Sequence, residues 1–500
     1  MLSGSQLTLE TESALGFPAA RPATQACAKL RPVLWCASVL LFSFLCVRSA
    51  QASVVTCDPT TNTLDQCVQT ATSNGTVPGT VVLVPNASTS LFLVSSTVNL
   101  PSNLTIRCEE GATIQQNGAA GSLVAASSAQ NVTIDGCVFD GSNGSTPGLV
   151  LNNVTAVRVT RNMFQNFRAQ GISGPSGDWT DVEIDGNVFN GVGPLNANDG
   201  AIGLFGQNGT LSSSNVSIRN NTCNNLTQGS GCIKLSASVA HPLTQVTISG
   251  NVLNVGNSSA GNLGIELFAV GTVNLDSAIQ QFTVAGNKVT TTPGATQTFC
   301  ISVYGSHGTI VGNSLSNCQA VGIEVLASYT SVIGNSLANA AAITWDGNNA
   351  SHAGVIIADN NLESSHGSAA IDIVSGLNGA YALNSAIVTH NIVRAPAGAT
   401  TGILVQTLSS GRVSDVHIDD NLFDTFGSSQ RVIDSEGSVA QVQIDNNRMV
   451  NISGTGLFLN GGGTGFTIRL NYFNGTTWLQ NFGTSVKRSV ENIVNGTCCQ

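Results

Sequence analysis

The chain has 500 residues, of which only 9% are charged, while glycine supplies 54. Helices on a soluble surface need charged faces, so this composition favours stacked strands with Ser, Thr and Asn outside. The formal net charge of −10 argues against nucleic acid as a partner, because phosphate binding needs Lys and Arg.

The first 52 residues differ from the rest and predict a secretory signal. Lys29 and Arg31 precede an apolar run from Val33 to Val47, and 50–52 read Ala-Gln-Ala, a small-x-small cleavage site. The run is short for a membrane span. We therefore expect a secreted protein, extracellular or periplasmic, with no membrane contact after the signal is removed.

Ten cysteines remain beyond residue 52, in pairs that are close in sequence. An even count in an exported chain suggests disulfides, although buried reduced cysteines are the alternative. The adjacent last pair fits a strained vicinal bond or two free thiols equally well. The pairs are Cys57 with Cys67, Cys108 with Cys137, Cys223 with Cys232, Cys300 with Cys318, and Cys498 with Cys499.

Residues 53–130 predict an N-terminal cap and the first turns of the fold. Thr63 and Gln66 form a capping box, followed by apolar residues on one helical face, including Leu64 and Val68. A helix at this end has a physical purpose, because an open stack of strands exposes unpaired edges and apolar core.

From residue 131 to 475 an asparagine recurs at intervals of 22 to 36 residues, always two residues before an apolar side chain. A fixed polar position within an apolar repeat is typical of a solenoid, and we expect the stacked amides to satisfy buried backbone groups. Cys137 starts the series one turn earlier. The positions are Asn162, Asn187, Asn221, Asn251, Asn287, Asn313, Asn335, Asn360, Asn391, Asn421, Asn447 and Asn471.

Each repeat contains three short apolar segments. An alternating run such as 182–184 predicts a strand, the Asn marks a sharp bend, and a second strand follows. The third segment reads Gly-Ile-x-Leu or Gly-Ile-x-Val. Three strands per turn without helices predict a parallel β-helix. A leucine-rich horseshoe also has an Asn ladder, but it needs shorter, Leu-dense repeats.

The N-terminal segment adds a resemblance. Gly79-Thr-Val-Val-Leu-Val-Pro85 and the stretch 93–106, after the predicted helix, resemble the start of right-handed β-helix proteins of the pectate-lyase-like superfamily. This implies an all-β, right-handed parallel β-helix of about thirteen turns with an N-terminal capping helix, and a C-terminal tail or cap over 476–500. The superfamily contains lyases, hydrolases, epimerases and non-catalytic adhesins, so the fold alone gives no activity.

The resemblance implies a binding cleft along the third sheet, where the outward residue x is Lys234, Glu266, Glu324 and Asp372 on four of the turns. We name these four as catalytic candidates. At about 4.8 Å between strands, Lys234 and Glu266 are within ion-pair reach, and Glu324 lies about 9.6 Å from Glu266 and from Asp372. Such spacing favours an inverting over a retaining glycosidase. The alternative is solvated charges that keep the sheet soluble.

Loop residues that would flank this cleft are candidates for substrate binding. Asn198 and Asp199 partly match the N-T-D motif of polygalacturonase-like enzymes. His307 and His366 lie in near-matches to the G-H-G motif of the same enzymes. His352 is the fifth candidate. An exposed loop histidine without a role is the alternative for each histidine.

We predict that the protein binds an extracellular polysaccharide along the third sheet and cleaves it, either as a lyase or as an inverting hydrolase. The alternative is a non-catalytic, adhesin-like surface protein, which the low charge, the Ser/Thr-rich faces and the missing family motifs favour. Aromatic residues, which would stack on sugar rings, make up only 5% of the chain. No cofactor is expected, except calcium if the protein is a lyase. We expect a monomer.

Overall fold

The computed structural model describes residues 52–118, 121–193, 200–226, 231–256, 262–271, 274–293, 298–347, 350–364, 366–376, 378–395 and 401–499. The predicted signal lies outside these ranges, apart from its last residue. Within them, no helix has the length and apolar character needed to cross a membrane.

The described residues form a right-handed parallel β-helix, which confirms the predicted fold. Its strands pair in parallel with those of the next turn in three stacks. The first stack contains Ser53–Cys57, Gly79–Leu83, Leu104–Cys108, Gln130–Asp135, Val154–Thr160, Trp179–Asp185, Ser213–Arg219, Leu243–Ser249, Ile279–Ala285, Thr309–Val311, Thr330–Ile333, His352–Ala358, Ala382–Thr389, Arg412–Asp419, Val439–Asp445, Thr464–Arg469 and Ser485–Val490.

The second stack follows the bend that contains the repeated Asn. Its strands are Leu91–Val94, Thr113–Gln116, Val138–Gly144, Met163–Phe167, Val188–Val192, Thr222–Asn224, Val252–Val255, Lys288–Thr291, Ser314–Ser316, Ser336–Ala340, Asn361–Ser364, Ile392–Ala395, Leu422–Phe426, the first parts of Arg448–Asn460 and Tyr472–Phe482, and Asn492–Val494.

The third stack carries the Gly-Ile-x-Leu pattern. Its strands are Val98–Leu100, Val124–Ser127, Leu149–Asn152, Ile172–Gly174, Gly200–Phe205, Gly231–Ser238, Asn262–Val270, Thr298–Ser306, Val321–Ser328, Ile343–Gly347, Ala369–Ser375, Thr401–Thr407, Arg431–Glu436, and the last parts of Arg448–Asn460 and Tyr472–Phe482. Within the described ranges this stack has fifteen strands, more than the thirteen expected turns, because the segments before 131 and after 475 also contribute strands.

The pattern glycine starts the third strand at a crowded position. A Cβ on Gly322 would lie 2.5 Å from the Leu337 side chain, and one on Gly402 would lie 2.5 Å from the Val432 carbonyl oxygen. Contacts this short force a shift of the backbone or of its neighbour. Glycine therefore lets the chain turn tightly from the second stack into the third.

The bend before each ladder Asn uses a left-handed backbone. The preceding residue has positive φ throughout the series. The first, Gly136, has φ 70° and the last, Leu470, has φ 58°. Arg161, which like Leu470 is not a residue type that favours this conformation, has φ 55°. Tertiary packing of the stacked turns therefore imposes the bend even where the local residue does not favour it.

The repeated asparagines form one continuous internal ladder. Asn313 is typical: its Oδ1 accepts from the backbone N of Asn287 at 2.9 Å and from its Nδ2 at 3.0 Å. Its Nδ2 donates to the Val284 carbonyl and to Oδ1 of Asn335, each at 2.9 Å. Asn492, which the sequence pattern missed, extends the ladder beyond Asn471.

The N-terminal helix, Leu64–Thr72, has the predicted capping box between Thr63 and Gln66. Its buried face, which includes Leu64 and Val68, joins the hydrophobic core that runs along the whole solenoid. Two short 3₁₀ segments, Gly206–Asn208 and Leu275–Ser277, lie between strands. At the other end, Thr497–Cys499 pairs antiparallel with Asn492–Val494.

Four of the five predicted cysteine pairs form disulfides, which excludes the alternative of reduced cysteines for those eight residues. The side chains of Cys498 and Cys499 lie outside the described part of the chain. Disulfides persist in oxidising compartments, so the four bonds indicate a protein that folds outside the cytosol. The bonded pairs are Cys57–Cys67, Cys108–Cys137, Cys223–Cys232 and Cys300–Cys318.

Candidate functional site

The outward side chains of the third stack form a continuous row. The strand register pairs Lys234 with Glu266, Glu266 with Ser302, and Ser302 with Glu324. It then pairs Glu324 with Thr344, and Thr344 with Asp372. This is the order predicted from the sequence. We call the outward side of the third stack, from Lys234 to the strand Arg431–Glu436, the carboxylate face.

Lys234 and Glu266 form the ion pair that their spacing predicted, with 2.7 Å between Nζ and Oε2. Glu266 is only 7% exposed. Burial raises the pKa of its carboxyl, and the charge and hydrogen bond of Lys234 offset part of that rise. A solubilising surface charge would be hydrated, so this residue does not fit that alternative.

Glu324 is partly buried and lies next to a hydroxyl donor. Ser302 Oγ donates to its Oε2 at 2.6 Å. Burial raises the pKa of Glu324 to about 7, the Ser302 hydrogen bond opposes the rise, and the negative charges of Asp346 and Glu266 add to it. Near neutral pH the carboxyl can therefore exchange a proton, which general acid or base chemistry requires.

Asp372, two strands further on, is 8% exposed. Burial raises its pKa to about 7, a hydrogen bond from Gln406 Nε2 at 3.3 Å lowers it, and the charges of Asp346 and Glu436 raise it further. Glu324 and Asp372 thus share two features, burial and a proton that is released near pH 7.

Asp346 belongs to the same group, although the sequence analysis did not identify it. It lies on the strand between those of Glu324 and Asp372, two residues after Thr344, and is 7% exposed. Its charge acts on both carboxyls. The repeat pattern ends at Trp345, so extending the alternation by one outward position would have found it.

Asp434 continues the row beyond Leu404 and was also missed. The segment Ile433-Asp434-Ser435 has Ser where the pattern expects an aliphatic residue. Burial raises the pKa of Asp434 to about 6 against the opposing hydrogen bond and charge of Arg431. Arg431 Nη1 lies 2.5 Å from Asp434 Oδ2 and 3.2 Å from Glu436 Oε1.

A second outward row, two residues further along each strand, carries aromatic side chains. Phe268 and Tyr304 are partly exposed and meet edge to face at 5.2 Å between ring centroids. At the C-terminal end, Phe482 of this row lies 5.4 Å from Phe458, which belongs to the first row because its strand position pairs with Asp434. Aromatic rings are scarce in this chain, so their presence beside the carboxylates is informative, because ring faces pack against apolar faces of ligands.

The candidate binding residues lie in different places. Asn198 and Asp199 are outside the described residues. His307 is exposed at the bend after Thr298–Ser306 and packs against Tyr329, with 5.1 Å between ring centroids. His366 is partly exposed in the connection before the strand of Asp372.

His352 is buried, 4% exposed, and starts a strand of the first stack. Its Nδ1 lies 2.9 Å from Oδ1 of Asp276. Asp276 belongs to the 3₁₀ segment Leu275–Ser277, and its carbonyl and carboxylate also accept hydrogen bonds from Ser306 and Ser328. These contacts hold that segment against the solenoid, a role the sequence analysis did not foresee.

Within the described ranges, no group of three or more His, Cys, Asp or Glu side chains is arranged to hold a metal ion. The side chains of the carboxylate face supply proton donors and acceptors at Glu324 and Asp372, ion pairs at either end, and aromatic rings beside them.

The fold and this row of carboxyls define a right-handed parallel β-helix protein with an acidic third sheet. No family model and no curated protein matches the sequence. Among solved structures, PfbA, a surface adhesin of Streptococcus pneumoniae, is similar, with a TM-score of 0.40 and 12% identity over 83% of this chain and 92% of that chain.

Two other solved structures are similar to a comparable degree. The tailspike protein of E. coli bacteriophage HK620, in complex with a pentasaccharide, has a TM-score of 0.43 and 13% identity over 87% of this chain and 74% of that chain. The polygalacturonase from Erwinia carotovora has a TM-score of 0.28 and 12% identity over 88% of this chain and 97% of that chain. Such similarities concern the fold and assign no activity.

Proposed function

We propose that this is a secreted protein that binds a polysaccharide along the carboxylate face and hydrolyses it with inversion at the anomeric carbon. The observation that supports this most directly is the pair Glu324 and Asp372, both with a pKa raised to about 7. Their strands lie about 9.6 Å apart, close to the roughly 6.5–9.5 Å between the carboxyls of inverting glycosidases.

The surroundings suggest a role for each carboxyl. Ser302 donates a hydrogen bond to Glu324, which favours its ionised form, so Glu324 is assigned as the general base. Asp372 is more deeply buried, and among the described residues the hydrogen bond it accepts comes from Gln406 at 3.3 Å, so its protonated form is assigned as the general acid.

The reaction then follows from these two roles. Glu324 takes a proton from a water molecule as the water oxygen bonds to the anomeric carbon. Asp372 gives its proton to the glycosidic oxygen as the bond between that oxygen and the anomeric carbon breaks. Asp346, whose charge raises the pKa of both, keeps one proton on the pair near neutral pH.

The test is a screen of the purified protein against neutral and uronate-containing polysaccharides. Release of reducing ends identifies a hydrolase, and absorbance of an unsaturated product identifies a lyase. On the substrate found, Glu324→Gln and Asp372→Asn should each lower turnover about 10²–10⁴-fold, the usual contribution of an acid or base. Glu363→Gln, at an exposed position of the second stack, is the matched control and should leave turnover unchanged.

The same screen decides between this proposal and the adhesin-like alternative. Saccharide binding without any turnover would make the protein a carbohydrate-binding solenoid. Turnover that survives both substitutions would remove Glu324 and Asp372 from the mechanism.

Secretion is part of the proposal. The four disulfides and the N-terminal apolar run support it. Mass spectrometry of exported protein should find an N-terminus at or near Ser53, whereas recovery of the intact leader in a membrane fraction would make the run an anchor.

A further inference from the structure

We infer that the polysaccharide taken by the carboxylate face is neutral, free of carboxylate and sulfate groups. This inference rests on the proposed function and specifies its substrate class. Three features support it: the distribution of cations over the chain, the acidic lining of the face, and the aromatic rings next to it.

The two basic side chains on the face are already paired. Lys234 contacts Glu266 at 2.7 Å and its side chain is only 13% exposed. Arg431 contacts both Asp434 and Glu436, and its guanidinium also covers the ring of Phe458 at 3.5 Å. Uronate and sulfate groups are bound by Arg or Lys that can turn a free donor to them. Each cation is already in contact with a carboxylate, so neither brings an unpaired positive charge to a uronate or sulfate.

The remaining basic residues lie elsewhere. Of the 18 Lys and Arg residues, four precede residue 53. Fourteen Lys and Arg residues follow residue 52, and Lys234 and Arg431 are the two on the carboxylate face. Arg168 lies in the connection before the strand Ile172–Gly174, and the others lie on the first two stacks or at the bends between them. The strand Ile172–Gly174 is five turns from Glu324, about 24 Å. The internal segments outside the described ranges contain no Lys, Arg or His in the sequence.

The lining repels anions. Glu266, Glu324, Asp346, Asp372, Asp434 and Glu436 outnumber the two cations on the face by four. Burial raises the pKa values of Glu324, Asp372 and Asp434, and neighbouring negative charges raise them further. A uronate seated here would add another negative charge to this group of carboxyls, and like charges at short range weaken binding.

The second outward row supplies what a neutral sugar can use. Phe268 and Tyr304 present partly exposed rings beside Glu266 and Ser302, and Phe482 is 59% exposed at the far end. Apolar faces of sugar rings pack on such aromatic surfaces, while hydroxyls donate to carboxylate oxygens. Hydroxyl donors suit an acceptor-rich face, and carboxylate ligands do not.

The experiment uses one glycan in two charge states. A neutral polysaccharide bound in the screen is oxidised at its primary alcohols, which converts C6 hydroxyls to carboxylates without changing the linkages. Both forms are titrated calorimetrically against the secreted protein at pH 8, with EDTA present so that no divalent cation bridges carboxylates. The oxidised form should bind at least about 10-fold more weakly at 10 mM salt, and less so at 150 mM, because the screening length falls from about 30 to 8 Å.

Two variants sharpen the result. Glu266→Gln releases Lys234 from its ion pair and should recover part of the affinity for the oxidised glycan. Glu363→Gln, on the second stack, should leave the preference unchanged. Equal or tighter binding of the oxidised glycan, or of polygalacturonate in the original screen, would overturn the inference while leaving the proposed function intact. If no glycan of either kind binds, the proposed function fails and the inference fails with it.

Discussion

The solenoid stacks a polar residue on every turn in two places, and the two rows behave in opposite ways. In the internal ladder each asparagine both donates and accepts, so each amide stabilises the next, as Asn287, Asn313 and Asn335 show. Carboxylates only accept. On the carboxylate face their negative charges therefore raise one another's pKa, and Ser302 and Thr344 separate them. A regular stack favours groups such as amides, which hydrogen-bond to identical groups on the next turn. Stacked carboxylates destabilise the fold, so their presence indicates a functional site.

The largest expected effect on stability tests the ladder. Asn313→Leu removes the acceptor for the Asn287 backbone N and the donor to the Val284 carbonyl, both buried. Each unsatisfied buried group costs about 1–3 kcal/mol, so the free energy of unfolding should fall by about 3 kcal/mol or more. Denaturant titration measures it. An unchanged midpoint would contradict the ladder.

The carboxylate face should show the opposite response to loss of its charge. Burial raises the pKa of Glu324 to about 7 in the folded protein, above the ordinary value of 4.5, so its contribution to stability is full below pH 4.5 and is lost as the pH rises through 7. Glu324→Gln should therefore stabilise the protein by about 1–3 kcal/mol at pH 8 and change little at pH 4.

Denaturant titrations of both proteins across this pH range measure that difference. Glu363→Gln serves as control and should follow the unmodified protein. A Glu324→Gln variant that is less stable at pH 8 than at pH 4, relative to the unmodified protein, would mean that the carboxylate is a favourable part of the fold.

The ion pair at the edge of the face should give a smaller effect. Lys234→Met leaves Glu266 buried without its cation, but Glu266 can take up a proton, which limits the loss to about 1–2 kcal/mol at pH 8. The loss should shrink at pH 5, and Lys234→Met combined with Glu266→Gln should restore stability. A double variant no better than the single one would show that Lys234 acts through its cation–π contact with Phe268.

The smallest effect is expected at an exposed asparagine. Asn254 also bonds to an Asn of the preceding turn, Asn224, at 2.7 Å, but both lie on the surface. Asn254→Leu should change the free energy of unfolding by less than about 0.5 kcal/mol, because water replaces the lost bond. A loss as large as that of Asn313→Leu would show that stacking itself, and not burial, stabilises the ladder.

The sequence by itself determined the three-stranded turn, the ladder and the order of the outward residues, because stacking repeats one local pattern at fixed register. The Lys234 and Glu266 pair followed from that register alone. The left-handed backbone at Arg161 and Leu470 did not follow from the sequence, because the positive φ at these two bends comes from packing between turns.

Only the tertiary structure decided how deeply the outward residues are buried. Asp346 and Asp434 joined the site at positions where the repeat pattern had ended or changed. His352 contacts Asp276 across 76 residues of sequence, a distance no local pattern spans. Burial and long-range contacts set the protonation of Glu324 and Asp372, because a pKa depends on the dielectric and on the charges that the folded chain brings near, whereas a periodic pattern records only which way a side chain points.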